Sequence, residues 1–450
     1  MRQTNFALAL LTAAVLSACG GSDNNNNAST PAAKPHFLSQ VTFGDSLSDV
    51  GAYKVGAIAA LGGGKFTING DLTATNPALT GKIWTEVMAS KLGLPAPCAA
   101  ITGLLGTAPG FSVPIVHNPT CTNYAMGGAR VTELIGPGNK ALVPTLGHLT
   151  IPIKDQIADH LGHNGGKFTG TEVVFVMAGG NDLLSLLSDL RAAATTAGGQ
   201  AYGKTLVSSL AAGTTDPATA AGKIGTVFGT EIATSGNANI ATQKAIGAAF
   251  QLGFTTITQT AVNGPIIAKA QADAAAAGAA YASANGPAQV TAMSLAGAQE
   301  AALIRTEIVG KGAKYVVVNN LPDVGGTPYA QAAAVSSPAT LTLINGLVSA
   351  FNTALRANID GLDANVLYVD LYTRSVDQTA HPSAYGLTNT TVATCLNNQL
   401  AGTSLVCNST NLLAGDISHY LYSDSVHPTP FGSSLIANFA AEQMVARGWL

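Results

Sequence analysis

Five short runs rich in β-branched and aromatic residues constrain the fold of this chain more than any other feature. They are FLSQVTF (37–43), CTNYAM (121–126), EVVFVMA (172–178), KYVVVNN (314–320) and NVLYVDL (365–371). Such runs read as strands, and continuous apolar strands are expected where both faces of a sheet are covered. Helical patterns lie between them, including GKIWTEVMASKLG (81–93) and TIPIKDQIADHLG (150–162), each closed by glycine, a common helix stop. The alternation predicts an α/β protein, a three-layer α/β/α arrangement around a five-stranded parallel sheet. Ligand chemistry in such folds sits at the carboxyl ends of the strands.

One region breaks the alternation. Residues 183–310 hold no core strand but many alanines, as in QADAAAAGAAYASA (271–284) and LAGAQEAALIRTEIV (295–309). Alanine has the highest helix propensity, so the segment reads as an Ala-rich helical insertion, either a lid or wall of a substrate site or an added packing layer. The 450 residues are thus read as one large domain, 37–450, carrying an insertion. With 47% hydrophobic and 10% charged residues the chain has ample material for a core. A formal charge of -3 leaves no basic footprint for nucleic acid.

The amino terminus reads as an export signal over residues 1–18. Arg2 precedes a mostly apolar stretch, residues 6–16, that ends at the small residues SAC. That stretch falls short of the roughly 20 residues a membrane-spanning helix needs. LSAC resembles a bacterial lipobox, which would make Cys19 the lipid-bearing residue and 19–36, with GGSDNNNNASTPAAKP, a polar tether. The expectation is an exported outer-membrane lipoprotein facing the periplasm or the cell surface, held at the membrane by its lipid; plain secretion is the other reading. Gly20 after Cys19 favours the outer membrane by resemblance to lipoprotein sorting. Four cysteines remain, Cys98, Cys121, Cys395 and Cys407. In an exported chain these read as disulfides, and of the three possible pairings the local one, Cys98 with Cys121 and Cys395 with Cys407, is preferred.

Three of the expected strands end on polar or glycine residues at what would be one rim: FGDSLSD, NYAMGGA and MAGGND. Glycine there lets the backbone turn tightly or approach a ligand. Near the carboxyl terminus, YLYSDSVHPTPFG (420–432) places Asp424 three residues before His427, ahead of an apolar helical pattern. A carboxylate at that spacing can hold an imidazole's tautomer while the other ring nitrogen takes a proton from a serine. DISH repeats the spacing with Asp416 and His419, so local sequence offers two histidines. Asp45, Asp49 and Asp182 read as turn-forming or structural.

FGDSLSD, NYAMGG, GGND and DSVHPT stand in the order of the four blocks of the GDSL, or SGNH, hydrolase family, which the chain resembles across most of 37–450. GKIWTEVMASKLGLP and VVVNNLPDVGGTP are similar to its bacterial lipase, esterase and phospholipase branch. The resemblance implies a flavodoxin-like SGNH hydrolase fold and an esterase or lipase. Ser46 would be the nucleophile, His427 the base, Asp424 its orienting carboxylate, and Ser46, Gly128 and Asn181 the oxyanion donors, with Gly127 as the second register for the glycine. Pro428 and Thr429 follow His427 as in the family's histidine block, and nothing comparable follows His419. Where related sequences often carry asparagine, this chain has AYKVGAIAALGGG after Gly51.

A serine hydrolase needs neither cofactor nor metal, and the chain has no HExxH and no G-x-S-x-G, so the α/β-hydrolase nucleophile elbow is absent. The expected partner is an ester, either a lipid or a short to medium acyl ester. Phospholipase, acyltransferase and polysaccharide O-acetyl esterase are the alternatives that keep the same residues. A non-catalytic surface lipoprotein is the alternative of another class.

Overall fold

A computed structural model describes residues 34–70, 76–254 and 259–450, and Pro35–Leu450 cluster as one unit. The signal peptide, Cys19 and the tether up to residue 33 lie outside the described residues. The chain enters through β1 (Ser39–Gly44), passes α1 (Gly56–Ala60) and α2 (Trp84–Lys91), and makes an antiparallel ribbon of β2 (Ile101–Leu105) and β3 (Ser112–His117). It then crosses α3 (Ile153–His163) and returns to the sheet as β4 (Glu172–Met177).

Four helices follow: α4 (Gly180–Ala212), α5 (Pro217–Ser235), α6 (Ala238–Gln251) and α7 (Gln259–Leu303). The region read as an Ala-rich insertion is therefore helical, and α4 begins at once after the third predicted strand. Pro265 and Pro287 both sit inside α7, where proline usually ends a helix. A parallel run of β5 (Tyr315–Asn319), α8 (Pro328–Ser336), α9 (Pro338–Ile359), β6 (Val366–Val369) and α10 (Leu371–Ala380) completes the sheet. The short β7 (Asn389–Ala393) and β8 (Tyr420–Tyr422) pair beside it before α11 (Pro430–Ala446) closes the chain.

The main sheet is parallel in the order β1-β4-β5-β6, with Ser39 opposite Glu172, Val173 opposite Tyr315 and Val316 opposite Val366. It has four strands, not the five expected. Residues 122–126 do run along the free edge of β1, through Thr42 N–H to Thr122 O (3.0 Å), Tyr124 N–H to Thr42 O (2.8 Å) and Met126 N–H to Gly44 O (3.1 Å). They pair only as a bridge at Asn123, because that residue is shared. Its N–H donates to Cys98 O and its carbonyl accepts from Ala100 N–H, so the segment is split between β1 and the neighbouring loop.

Strand side chains alternate between two cores. Val41, Phe43, Val174, Val176, Val316 and Val318 pack with Ile153 and Ile157 of α3, Met293 of α7 and Phe351 of α9. Phe175, Met177, Val317 and Val369 pack on the other side with Trp84 and Met88 of α2 and Ala440 and Met444 of α11. Helices thus cover both faces, which is why β4, β5 and β6 run almost without polar residues, whereas β1 keeps buried Gln40 and Thr42. Fully burying each such side chain contributes about 1.5–3 kcal/mol. Two disulfides, Cys98–Cys121 and Cys395–Cys407, join the pairs preferred from sequence.

Candidate active site

The serine stands where β1 stops. A Cβ on Gly44 would lie 2.9 Å from Met177 O and 3.0 Å from Ser48 Cβ, so only glycine lets the chain turn there. The Gln156 side-chain amide clamps this residue on both sides, accepting from Gly44 N–H and donating to Gly44 O, both at 2.9 Å. Asp45 then makes the turn, its Oδ1 accepting from Leu47 N–H and its carbonyl from Ser48 N–H. Ser46 is left at the tip, largely buried but lining a cavity of about 300 Å³. That volume is at the small end of ligand pockets, roughly 300–1,000 Å³.

His427 arrives from the far end of the chain. Its Nε2 lies 2.8 Å from Ser46 Oγ, and its Nδ1 lies 2.9 and 2.8 Å from the two oxygens of Asp424. The loop that carries them is fixed from several sides. Ser423 N–H donates to His427 O, Ser423 Oγ and Thr67 Oγ1 both donate to Pro428 O, and Thr429 caps α11 by accepting from Gly432 N–H. Phe66 packs its ring 4.9 Å from the imidazole.

Asp424 is nearly inaccessible and accepts from Ser404, Val426 and His427 backbone N–H groups as well as from the ring. Burial alone would raise this carboxyl, but the adjacent imidazole and these donors outweigh it and hold it well below the usual carboxylate range. It is therefore an anion wherever the protein is folded near neutral pH.

Gly128 and Asn181 line the same cavity as Ser46 and His427. Gly128 takes φ +80°, and a Cβ there would meet Pro137 O at 2.3 Å. Asn181 is the second residue of α4, two after Gly179, whose φ of +103° starts the helix sharply. One Asn181 Nδ2 hydrogen is donated to Ala129 O at 2.9 Å, and the amide has a second. Among the described residues neither Ser46 N–H nor Gly128 N–H has a protein acceptor, whereas Gly127 N–H donates to Asp49 Oδ2 at 2.9 Å. The glycine at position 128, rather than 127, keeps its donor free.

The second histidine of matching spacing is elsewhere. Asp416 accepts from Ser418, whose hydroxyl lies 3.1 Å from His419 Nδ1, and the His419 ring stands on Phe431 at 4.5 Å. It does not reach Ser46. Asp45 and Asp49 make the turn bonds expected of them, and Asp182 pairs with Arg130 at 3.2 Å and accepts from Val131 N–H. Sequence reading missed Ser404, Phe66, Tyr53 and Gln156, which come to the site from loops and a helix with no local motif.

An α/β fold with a parallel sheet, in which a hydroxyl at the end of β1 stands in hydrogen-bonded series with an imidazole and a carboxylate from the loop between β8 and α11, defines the general class. No family model matches the chain. Over 99 residues, 21% of this chain and 27% of the relative, it is 34% identical to a GDSL esterase/lipase of Arabidopsis thaliana. It is 33% identical over 132 residues to the esterase EstA of Pseudomonas aeruginosa, covering 28% of this chain and 19% of that one. A protein of the trpE-trpG intergenic region of Pseudomonas putida is 33% identical over 158 residues, 35% of this chain and 25% of the relative. The alignments thus span about a fifth to a quarter of these relatives, and at this modest identity they support a GDSL hydrolase relation.

Proposed function

We propose that this protein is a serine carboxylester hydrolase, an esterase or lipase of GDSL type, working through an acyl-enzyme on Ser46. The observation that carries the reading is the continuous series Ser46 Oγ, His427 Nε2, His427 Nδ1, Asp424, with each contact at 2.8–2.9 Å and with Ser46 and His427 381 residues apart in sequence. A serine hydroxyl is a poor nucleophile until an adjacent base removes its proton.

In the proposed reaction Asp424 keeps the Nδ1 proton in place, and Nε2 accepts the Ser46 proton as Oγ attacks the ester carbonyl. The resulting oxyanion takes hydrogen bonds from Ser46 N–H, Gly128 N–H and Asn181 Nδ2–H. Loss of one such donor typically costs about 100- to 1,000-fold in rate. Collapse expels the alcohol, which leaves with the proton held on His427. Water then attacks the acyl-enzyme, giving its proton to the same nitrogen, and the acid departs as Ser46 regains its hydrogen.

Export and lipidation at Cys19, with residues 19–36 as a tether, complete the proposal and would set the enzyme at a membrane surface. Hydrolysis of p-nitrophenyl butyrate tests the catalytic part. His427→Ala is expected to reduce the rate to near that of Ser46→Ala, and His419→Ala to retain most activity. Equal loss at both histidines would show that the series does not run through His427 alone.

A further inference from the structure

We infer that Tyr53 is a positioning residue for the oxyanion site, an inference that rests on the hydrolase reading above. Its phenol is completely buried and its hydroxyl lies 2.7 Å from Gly127 O. Thr150 N–H donates to the Tyr53 hydroxyl oxygen at 3.2 Å. Because a backbone N–H can only donate and a carbonyl can only accept, the phenolic proton is directed at Gly127 O. Burial drives the Tyr53 hydroxyl well above its ordinary titration range, so that proton is present at any working pH.

Gly127 O and Gly128 N–H belong to one peptide unit. The unit is planar and trans, so its carbonyl and its N–H point in opposite directions. Anchoring the oxygen on the Tyr53 side therefore turns the Gly128 N–H toward the other side, where Gly128 lines the cavity with Ser46, Asn181 and His427. A hydrogen bond to the carbonyl also polarises the peptide and strengthens its N–H as a donor.

The preceding peptide is held as well. Asp49 Oδ2 accepts from Gly127 N–H at 2.9 Å while Oδ1 accepts from Gly51 and Ala52 N–H at 2.8 and 2.7 Å. Asp49 and Tyr53 lie three and seven residues after Ser46, so one loop carries the nucleophile and both arms of a clamp on the glycine turn. There is no room to replace the clamp with bulk. A Cβ on Gly127 would meet the Phe66 ring at 2.2 Å. The His148 ring, stacked on Tyr53 at 4.3 Å and 17°, fixes the phenol plane.

The test is Tyr53→Phe, which keeps the ring and removes the hydroxyl. On a soluble ester we expect kcat to fall about 10- to 100-fold, below the full effect of deleting a donor, with KM within two-fold. The affinity for phenylboronic acid, whose tetrahedral serine adduct uses the same donors, should fall by the same factor. A general loosening of the fold would instead move KM, or lower the fraction of protein labelled by a fluorophosphonate. Asp49→Asn, read by the same kcat-to-KM split, serves if the phenylalanine variant does not fold. Unchanged kcat in a folded variant, or a rise in KM that accounts for the whole loss, overturns the inference while leaving Ser46 labelling intact. A wild-type protein that neither takes the label on Ser46 nor cleaves esters would refute the hydrolase reading itself, and the clamp's role with it.

Discussion

Replacing Asp424 by asparagine removes one charge and keeps the shape of the side chain. In the native site the carboxylate lies 2.8 Å from His427 Nδ1. When the ring gains the serine proton it becomes a cation, and two unit charges at that separation attract by about 6 kcal/mol at an effective dielectric of about 20. Each 1.36 kcal/mol is tenfold in rate, so the loss of that attraction corresponds to about 10⁴-fold. The tautomer effect acts in the same direction. An amide nitrogen at the Oδ2 position would meet both the Ser404 N–H and Nδ1, favouring a ring protonated on Nε2 that cannot accept from Ser46. The expected kcat is therefore lower by about 10³- to 10⁴-fold, with KM little changed. Steady-state kinetics on p-nitrophenyl butyrate, with circular dichroism to confirm folding, provides the measurement. A fall of less than about 30-fold in folded protein would refute the charge argument, since it would correspond to only about 2 kcal/mol.

Two further outcomes concern stability. Burial raises the Asp45 carboxyl from the usual 3.8 to about 6, so its protonated form favours the folded state, fully below pH 4, and that contribution is lost as pH rises through 6. At about 1.4 kcal/mol per unit the group accounts for about 3 kcal/mol; Asp45→Asn should thus gain about that much relative to wild type between pH 4 and 7 in urea unfolding, and parallel pH profiles would contradict the assignment. The two disulfides close loops of 23 and 12 residues and should each contribute about 3 kcal/mol in the chain-entropy model. Serine pairs at Cys98 and Cys121, or at Cys395 and Cys407, are expected to lower the urea midpoint, and a midpoint unaffected by either would count against these bridges.

The strands β4, β5 and β6 were legible because burial on both faces makes a nearly uninterrupted β-branched apolar run, as in Val173–Val176 and Val316–Val318; β1 was legible although Gln40 and Thr42 interrupt it. Residues 121–126 also read as a strand and do run along β1, but they count only as a bridge at Asn123, since hydrogen-bond partners on a second side are invisible in a local pattern. Alanine content revealed helices between 183 and 310, yet not that α7 would run through Pro265 and Pro287. At the site, Asp424 and His427 could be paired by spacing, but so could Asp416 and His419. Pro428, Thr429 and the helical pattern after them favoured the first pair, and Thr429 capping α11 with Ser423 and Thr67 closing on Pro428 is how the fold holds it beside Ser46. Tyr53 left a single trace, its place in a stretch where related sequences carry asparagine, and Ser404 left none because its contribution is a backbone N–H. Asp49 was read as a turn residue, which it is; its second oxygen, on Gly127, depends on a turn 78 residues away.

The central claim is that Ser46 is an activated nucleophile, and mass spectrometry after treatment with a fluorophosphonate tests it most directly. The account predicts a single covalent adduct on the peptide containing Ser46, absent from Ser46→Ala and strongly slowed in His427→Ala. An adduct on a different serine, or none on folded and disulfide-intact protein, would contradict it.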